Sequence, residues 1–84
     1  MSPDEITTKI RAALPDAEVE LVDLTGTADH WQASVISSAF EGQSLMARHR
    51  LVMNALAAEL KGPIHALTLN VMTPTEAASR RGQR

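Results

Sequence analysis

The chain has 84 residues, 44% of them apolar, with a formal net charge of −2 and no cysteine. One domain of this size buries only ~60–65% of the surface its unfolded form exposes, so its core is thin. No disulfide or thiolate metal site can reinforce that core. A non-specific nucleic-acid clamp is normally basic, and a pI near 5.8 argues against one. The charge is nonetheless uneven: most arginines lie from Arg48 onward, whereas Asp4 to Asp29 is acidic.

Ser2-Pro3-Asp4-Glu5 has the composition of a capping box with proline at the first helical position. Ile6, Ile10, Ala13 and Leu14 then follow one helical face until Pro15-Asp16 interrupts it. Ala17, Val19 and Leu21 alternate with polar positions, predicting a half-buried strand. Leu24 to Asp29 is a turn rich in Thr, Gly and Asp. Trp31, Ala33 and Val35 alternate again, predicting a second strand antiparallel to the first.

After the connector Glu41-Gly42-Gln43-Ser44, a long helical pattern begins at Leu45 with its stripe at positions 45, 49, 52, 53, 56 and 60. Gly62-Pro63 stops it. Ile64 to Met72 predicts a third strand with His65, Leu67, Leu69 and Val71 on one parity. Thr73-Pro74-Thr75-Glu76 repeats the capping-box pattern and predicts a short last helix. Residues 1–79 then make a single domain, and the basic stretch 80–84 is expected to be a disordered tail. The order is helix, strand, strand, helix, strand, short helix. The third strand should lie parallel to the second through a right-handed crossover. That is a two-layer α+β fold with a three-stranded mixed sheet, one face under helices and the other wet.

No apolar run approaches the ~20 residues of a membrane span. The start MSPDEITTK lacks the apolar stretch of a signal peptide, so a cytoplasmic address is the default.

Four stretches together carry a resemblance: Phe40-Glu41-Gly42; Arg48-His49-Arg50 with Leu51-Val52; Ile64-His65-Ala66; and Thr73-Pro74 with Glu76. In this order and spacing they resemble the BolA family, over nearly the whole chain from about Ile6 to Ala78. The resemblance implies the BolA fold, similar to a type II KH domain. It also implies partnership with a monothiol glutaredoxin around a bridging 2Fe–2S cluster, and for some members regulation of transcription. The implied cluster ligand is His65. A second, histidine or cysteine, is implied from the loop between the first two strands. That loop holds no cysteine; Thr27 stands where some relatives carry one, and His30 is the nearest substitute.

The residues themselves leave alternatives open. By position alone His65 reads as a partly buried strand histidine bonded to backbone, and His30 equally as a ligand or a solvated loop residue. Arg48 and Arg50 flank His49, which the spacing sets at the edge of the core; the triplet is a solvated basic flank or a docking surface for a partner or for phosphates. Asp23, Asp29 and His30 offer a hard-metal alternative. Two imidazoles are too few to hold iron or zinc alone, which fits the shared cluster, with glutathione and the partner's cysteine, that the resemblance implies. The competing function is a nucleic-acid-binding regulator, disfavoured by the acidic pI, two aromatic residues and no G-x-x-G loop. With no phosphate-binding glycine loop and no nucleophile motif, an enzyme is not expected. The free chain is read as a monomer, with homodimerisation left open and no membrane partner.

Overall fold

The computed structural model describes residues 2–64 and 66–81. His65 and residues 82–84 of the expected tail lie outside the described residues. The elements are α1 (Pro3–Ala13), β1 (Glu18–Asp23), β2 (His30–Ile36), a 3₁₀ turn (Ser38–Phe40), α2 (Leu45–Ala55), α3 (Ala57–Leu60), β3 (Ala66–Met72) and α4 (Pro74–Arg81). The last helix thus runs through Arg81, two residues into the stretch read as tail.

Both capping boxes form. Ser2 Oγ accepts from the Glu5 amide at 3.2 Å while the Glu5 carboxylate accepts from the Ser2 amide at 3.1 Å. At α4 the Thr73 hydroxyl accepts from the Glu76 amide and Glu76 Oε1 from the Thr73 amide. Each exchange satisfies helix-terminal amides that would otherwise lack partners.

The strands order as β1-β2-β3, with β1 antiparallel and β3 parallel to β2. The register stacks Leu21, Ala33 and Leu69 in one row and Val19, Val35 and Val71 in the next. Alternation turns these rows inward, where Trp31, Ala33 and Val35 are buried. Ile6 and Ile10 of α1, Leu14 at its C-cap, Ala17, Val52 and Leu56, Phe40 and Ile64 complete the core. The opposite face was expected to be wet. It is so over Glu20 and Thr68, but α4 leans over one end, buries Ala77, and leaves a hollow of about 410 Å³ beside Ile36, Met72 and Arg80.

The long helix departs from the sequence reading twice. It breaks at Leu56 (φ −109°, ψ 17°) into α2 and α3. Its inward stripe is Arg48, Val52 and Leu56, whereas His49, Leu45 and Met53 are exposed. Arg48 displaces His49 because its stem packs as an apolar group while its guanidinium finds acceptors on every side. Nε donates to the Gln43 carbonyl at 3.0 Å, and Nη1 to Glu76 Oε1 at 2.7 Å and the Val71 carbonyl at 3.4 Å. Among the described residues no helix is long and apolar enough to cross a membrane.

Candidate functional site

Parallel pairing brings the starts of β2 and β3 to the same end of the sheet. His30 opens β2 and lies in register with Ala66, the residue that follows His65 in the chain. The Ala66 amide donates to the Asp29 carbonyl at 3.2 Å, so the β1–β2 turn and the start of β3 are tied directly.

The turn is shaped by Asp23. Its Oδ1 accepts from the amides of Thr25 (3.3 Å) and Gly26 (2.9 Å), and its Oδ2 from that of Ala28 (2.9 Å). This is the usual way an Asp side chain substitutes for a backbone acceptor in a tight turn. Gly26 (φ +76°) and Ala28 (φ +59°) both occupy the left-handed region, which costs alanine roughly 1–2 kcal/mol. Ala28 is held there from both sides, since its carbonyl also accepts from Trp31 Nε1 at 3.1 Å. With Asp23 committed to three amides, the hard-metal alternative of Asp23, Asp29 and His30 loses its anchor. Among the described residues no group of three His, Cys, Asp or Glu side chains is placed to hold a metal ion.

Asp29 turns the other way, toward His30. Its Oδ1 accepts from His30 Nδ1 at 2.8 Å, and also from the hydroxyls of Thr27 and Thr25. The carboxylate favours the proton on Nδ1 and so directs the imidazole lone pair to Nε2, the arrangement in which metal-bound histidines are usually braced. The His30 side chain is 41% exposed and that of Asp29 27%. Thr27 thus serves as a hydrogen-bond donor to the carboxylate that orients His30. The Asp–His adjacency is visible in the sequence; that the two side chains pair is not.

The basic triplet is not part of this end. Arg48 is anchored at the far end of β3 by Val71 and Glu76. His49 and Arg50 are exposed on α2. Arg48 beside Glu76 holds that carboxyl below the usual carboxylate range, helped by the Thr73 amide. A further polar lock at this end had no local signal, because its partners are 21 and 22 residues apart. The Asp16 carboxylate accepts from Ser37 Oγ (2.6 Å), Ser38 Oγ (2.6 Å) and the Ser38 amide (2.8 Å), which together hold its pKa at about 2.

The fold is shared with known proteins. The family described as BolA-like protein matches residues 6–76. Human BolA-like protein 1 is 42% identical over 78 residues, covering 84% of this chain and 57% of that protein. The DNA-binding transcriptional regulator BolA of Escherichia coli K12 is 32% identical over 83 residues, covering 90% of this chain and 79% of that protein. Among solved structures, a bol-like protein from Babesia bovis superposes with a TM-score of 0.84 at 32% identity, covering 96% of this chain and 94% of that one. The chain therefore spans a little over half the length, 57%, of the human relative.

Proposed function

The chain belongs to the BolA family, and from that premise we propose that it is an adaptor that binds a monothiol glutaredoxin and shares a 2Fe–2S cluster with it. The observation that carries this reading is the braced imidazole: His30, with Nδ1 on Asp29, stands in register with the residue after His65. The donor set suits sharing. A chain without cysteine and without a three-ligand group among its described residues cannot retain a cluster alone, but it can complete one. The cluster is the cargo, with thiolates supplied by a glutaredoxin cysteine and glutathione and imidazole by His65, with His30 as the second nitrogen donor. Imidazole in place of thiolate raises the cluster's reduction potential, which suits transfer or sensing. The protein's own work is to bind and orient; no bond-making on a substrate is required of it.

The test is to mix the protein with a monothiol glutaredoxin, glutathione, iron and sulfide without oxygen, and to record visible absorption and circular dichroism. A heterodimer with a spectrum unlike that of the glutaredoxin alone is expected, lost in His65→Ala and altered in His30→Ala. Trp31, next to His30 and bonded to the same turn, reports docking by fluorescence. A spectrum that stays that of the glutaredoxin alone removes the reading.

The name of the Escherichia coli relative motivates a second reading, a regulator that binds DNA. Exposed His49 and Arg50 would serve it, while Arg48 is engaged internally. Binding to duplex DNA that weakens steeply with salt supports this alternative, and no binding at physiological salt removes it.

A further inference from the structure

The two edges of the sheet are built differently. β1 carries Glu18, Glu20 and Asp23 among its six residues, the charge pattern that keeps an edge from pairing with another strand. β3, at the other edge, has no charged residue from Ala66 to Met72. In the β2–β3 ladder the even-numbered residues of β3 face β2: the Ala66 amide donates to Asp29, and the Met72 carbonyl accepts from the Ser37 amide. Parallel alternation therefore turns the N–H and C=O groups of Leu67, Leu69 and Val71 outward. Among the described residues the Val71 carbonyl is taken by Arg48, and nothing bonds to the outward groups of Leu67 or Leu69.

We propose that this edge pairs with the same edge of a second copy, antiparallel about Thr68, to give a two-fold symmetric six-stranded sheet. In that register Leu67 of one copy exchanges both backbone hydrogen bonds with Leu69 of the other, and the reverse pair repeats it. The four outward groups of Leu67 and Leu69 are all used. Parity is conserved, so the leucines meet on the helix-covered side and Thr68 meets Thr68 on the exposed side, a favourable cross-strand pair. The neighbouring register, centred on Leu69, would need the Val71 carbonyl that Arg48 occupies. Leu51, three residues along α2 from Arg48 and on the same flank, is 37% exposed and offers apolar cover over the joined leucines. The same self-pairing at β1 would set carboxylates near carboxylates. An isologous interface of this kind closes as a dimer and leaves no further β3 edge to extend.

The test uses the cluster-free protein alone, by sedimentation equilibrium from about 1 µM to about 1 mM. The mass should move from monomer to dimer with concentration. The Leu67 and Leu69 amides should slow in hydrogen exchange in step with it, while the amides of β1 do not. Thr68→Lys and Thr68→Glu each place like charges opposite one another, and should raise the dissociation constant about fivefold with an unchanged far-UV spectrum. Thr68→Val should lower it, and Glu20→Lys should leave it alone. His65→Ala should dimerise as the wild type does, so loss of the cluster reading would leave this one standing. A monomer throughout the range overturns the proposal. So does a dimer indifferent to both Thr68 charges, or one that responds to Glu20→Lys instead.

Discussion

The two ends of β2 use the same chemistry for opposite purposes. Where β2 starts, the carboxylate of Asp29 accepts from an imidazole that is 41% exposed, within a turn that contains a left-handed alanine. Where it ends, the carboxylates of Asp16 and Glu76 accept from serines, backbone amides and the guanidinium of Arg48, whose side chain is 10% exposed, beside fully buried Ser37 and Phe40. At the far end the serines reach Asp16, and the guanidinium reaches Glu76, from other elements, so these bonds hold turns and helices to the sheet. At the near end the donor is a side chain with chemistry of its own, held by its neighbour in sequence. Polar groups locked from a distance serve the fold. A polar pair built locally at a sheet end is cheap to vary, and so is available for function.

The largest break in this contrast should come from Arg48→Ala. It removes a buried stem from the stripe with Val52 and Leu56 and leaves the Gln43 and Val71 carbonyls without that donor. We expect a loss of about 2–3 kcal/mol in urea denaturation, and little rescue by lysine, which cannot reproduce the fork. Arg50→Ala, two residues along and exposed, should stay within about 0.5 kcal/mol. Equal effects would mean that the triplet acts as one surface.

That pair also marks how far the sequence could be read. The element order, the two capping boxes, the strand parities and the parallel crossover follow from local pattern, and each is present. The helix stripe runs through Arg48 and not His49, although by side-chain polarity alone histidine is the more apolar of the two. A four-residue step back from Val52 reaches Arg48, but only Gln43, Val71 and Glu76, brought in by the fold, make a guanidinium acceptable there. The Asp16 lock joins residues 21 and 22 positions apart and leaves no trace in either segment. At the near end the resemblance pointed to His30. The brace on it depends on a turn whose shape Asp23 sets, and no periodicity encodes that.

Ser37→Ala should come next in size. The hydroxyl is fully buried, donates to Asp16 and accepts from the Ala39 amide, so its loss is worth about 1–2 kcal/mol. The same lock sets a pH dependence. Asp16 is lowered from 3.8 to about 2, so its contribution is complete above the ordinary value and fades as pH falls through it toward about 2. Glu76, lowered chiefly by Arg48, acts in the same direction. Chemical denaturation between about pH 4 and pH 2 should therefore show falling stability, and Asp16→Asn should flatten part of that slope. An unchanged slope would mean that the serines do not hold the carboxylate in solution.

The smallest effect on the fold should come from Asp29→Asn, where the contrast is sharpest. Asparagine can still accept from His30 Nδ1 and from the Thr27 hydroxyl, so the turn keeps its form and stability should move by no more than about 0.5 kcal/mol. What is lost is the charge that makes the imidazole a stronger donor. If His30 ligates in the glutaredoxin complex, retention of the shared cluster against a chelator should weaken about tenfold while docking, read by Trp31 fluorescence, is unchanged. His30→Ala should lose the same retention and make the Asp29 substitution silent. A variant pair that changes stability but not retention would make the near end a second structural lock. The two ends of β2 would then differ only in exposure, and the ligand role would rest on His65 alone.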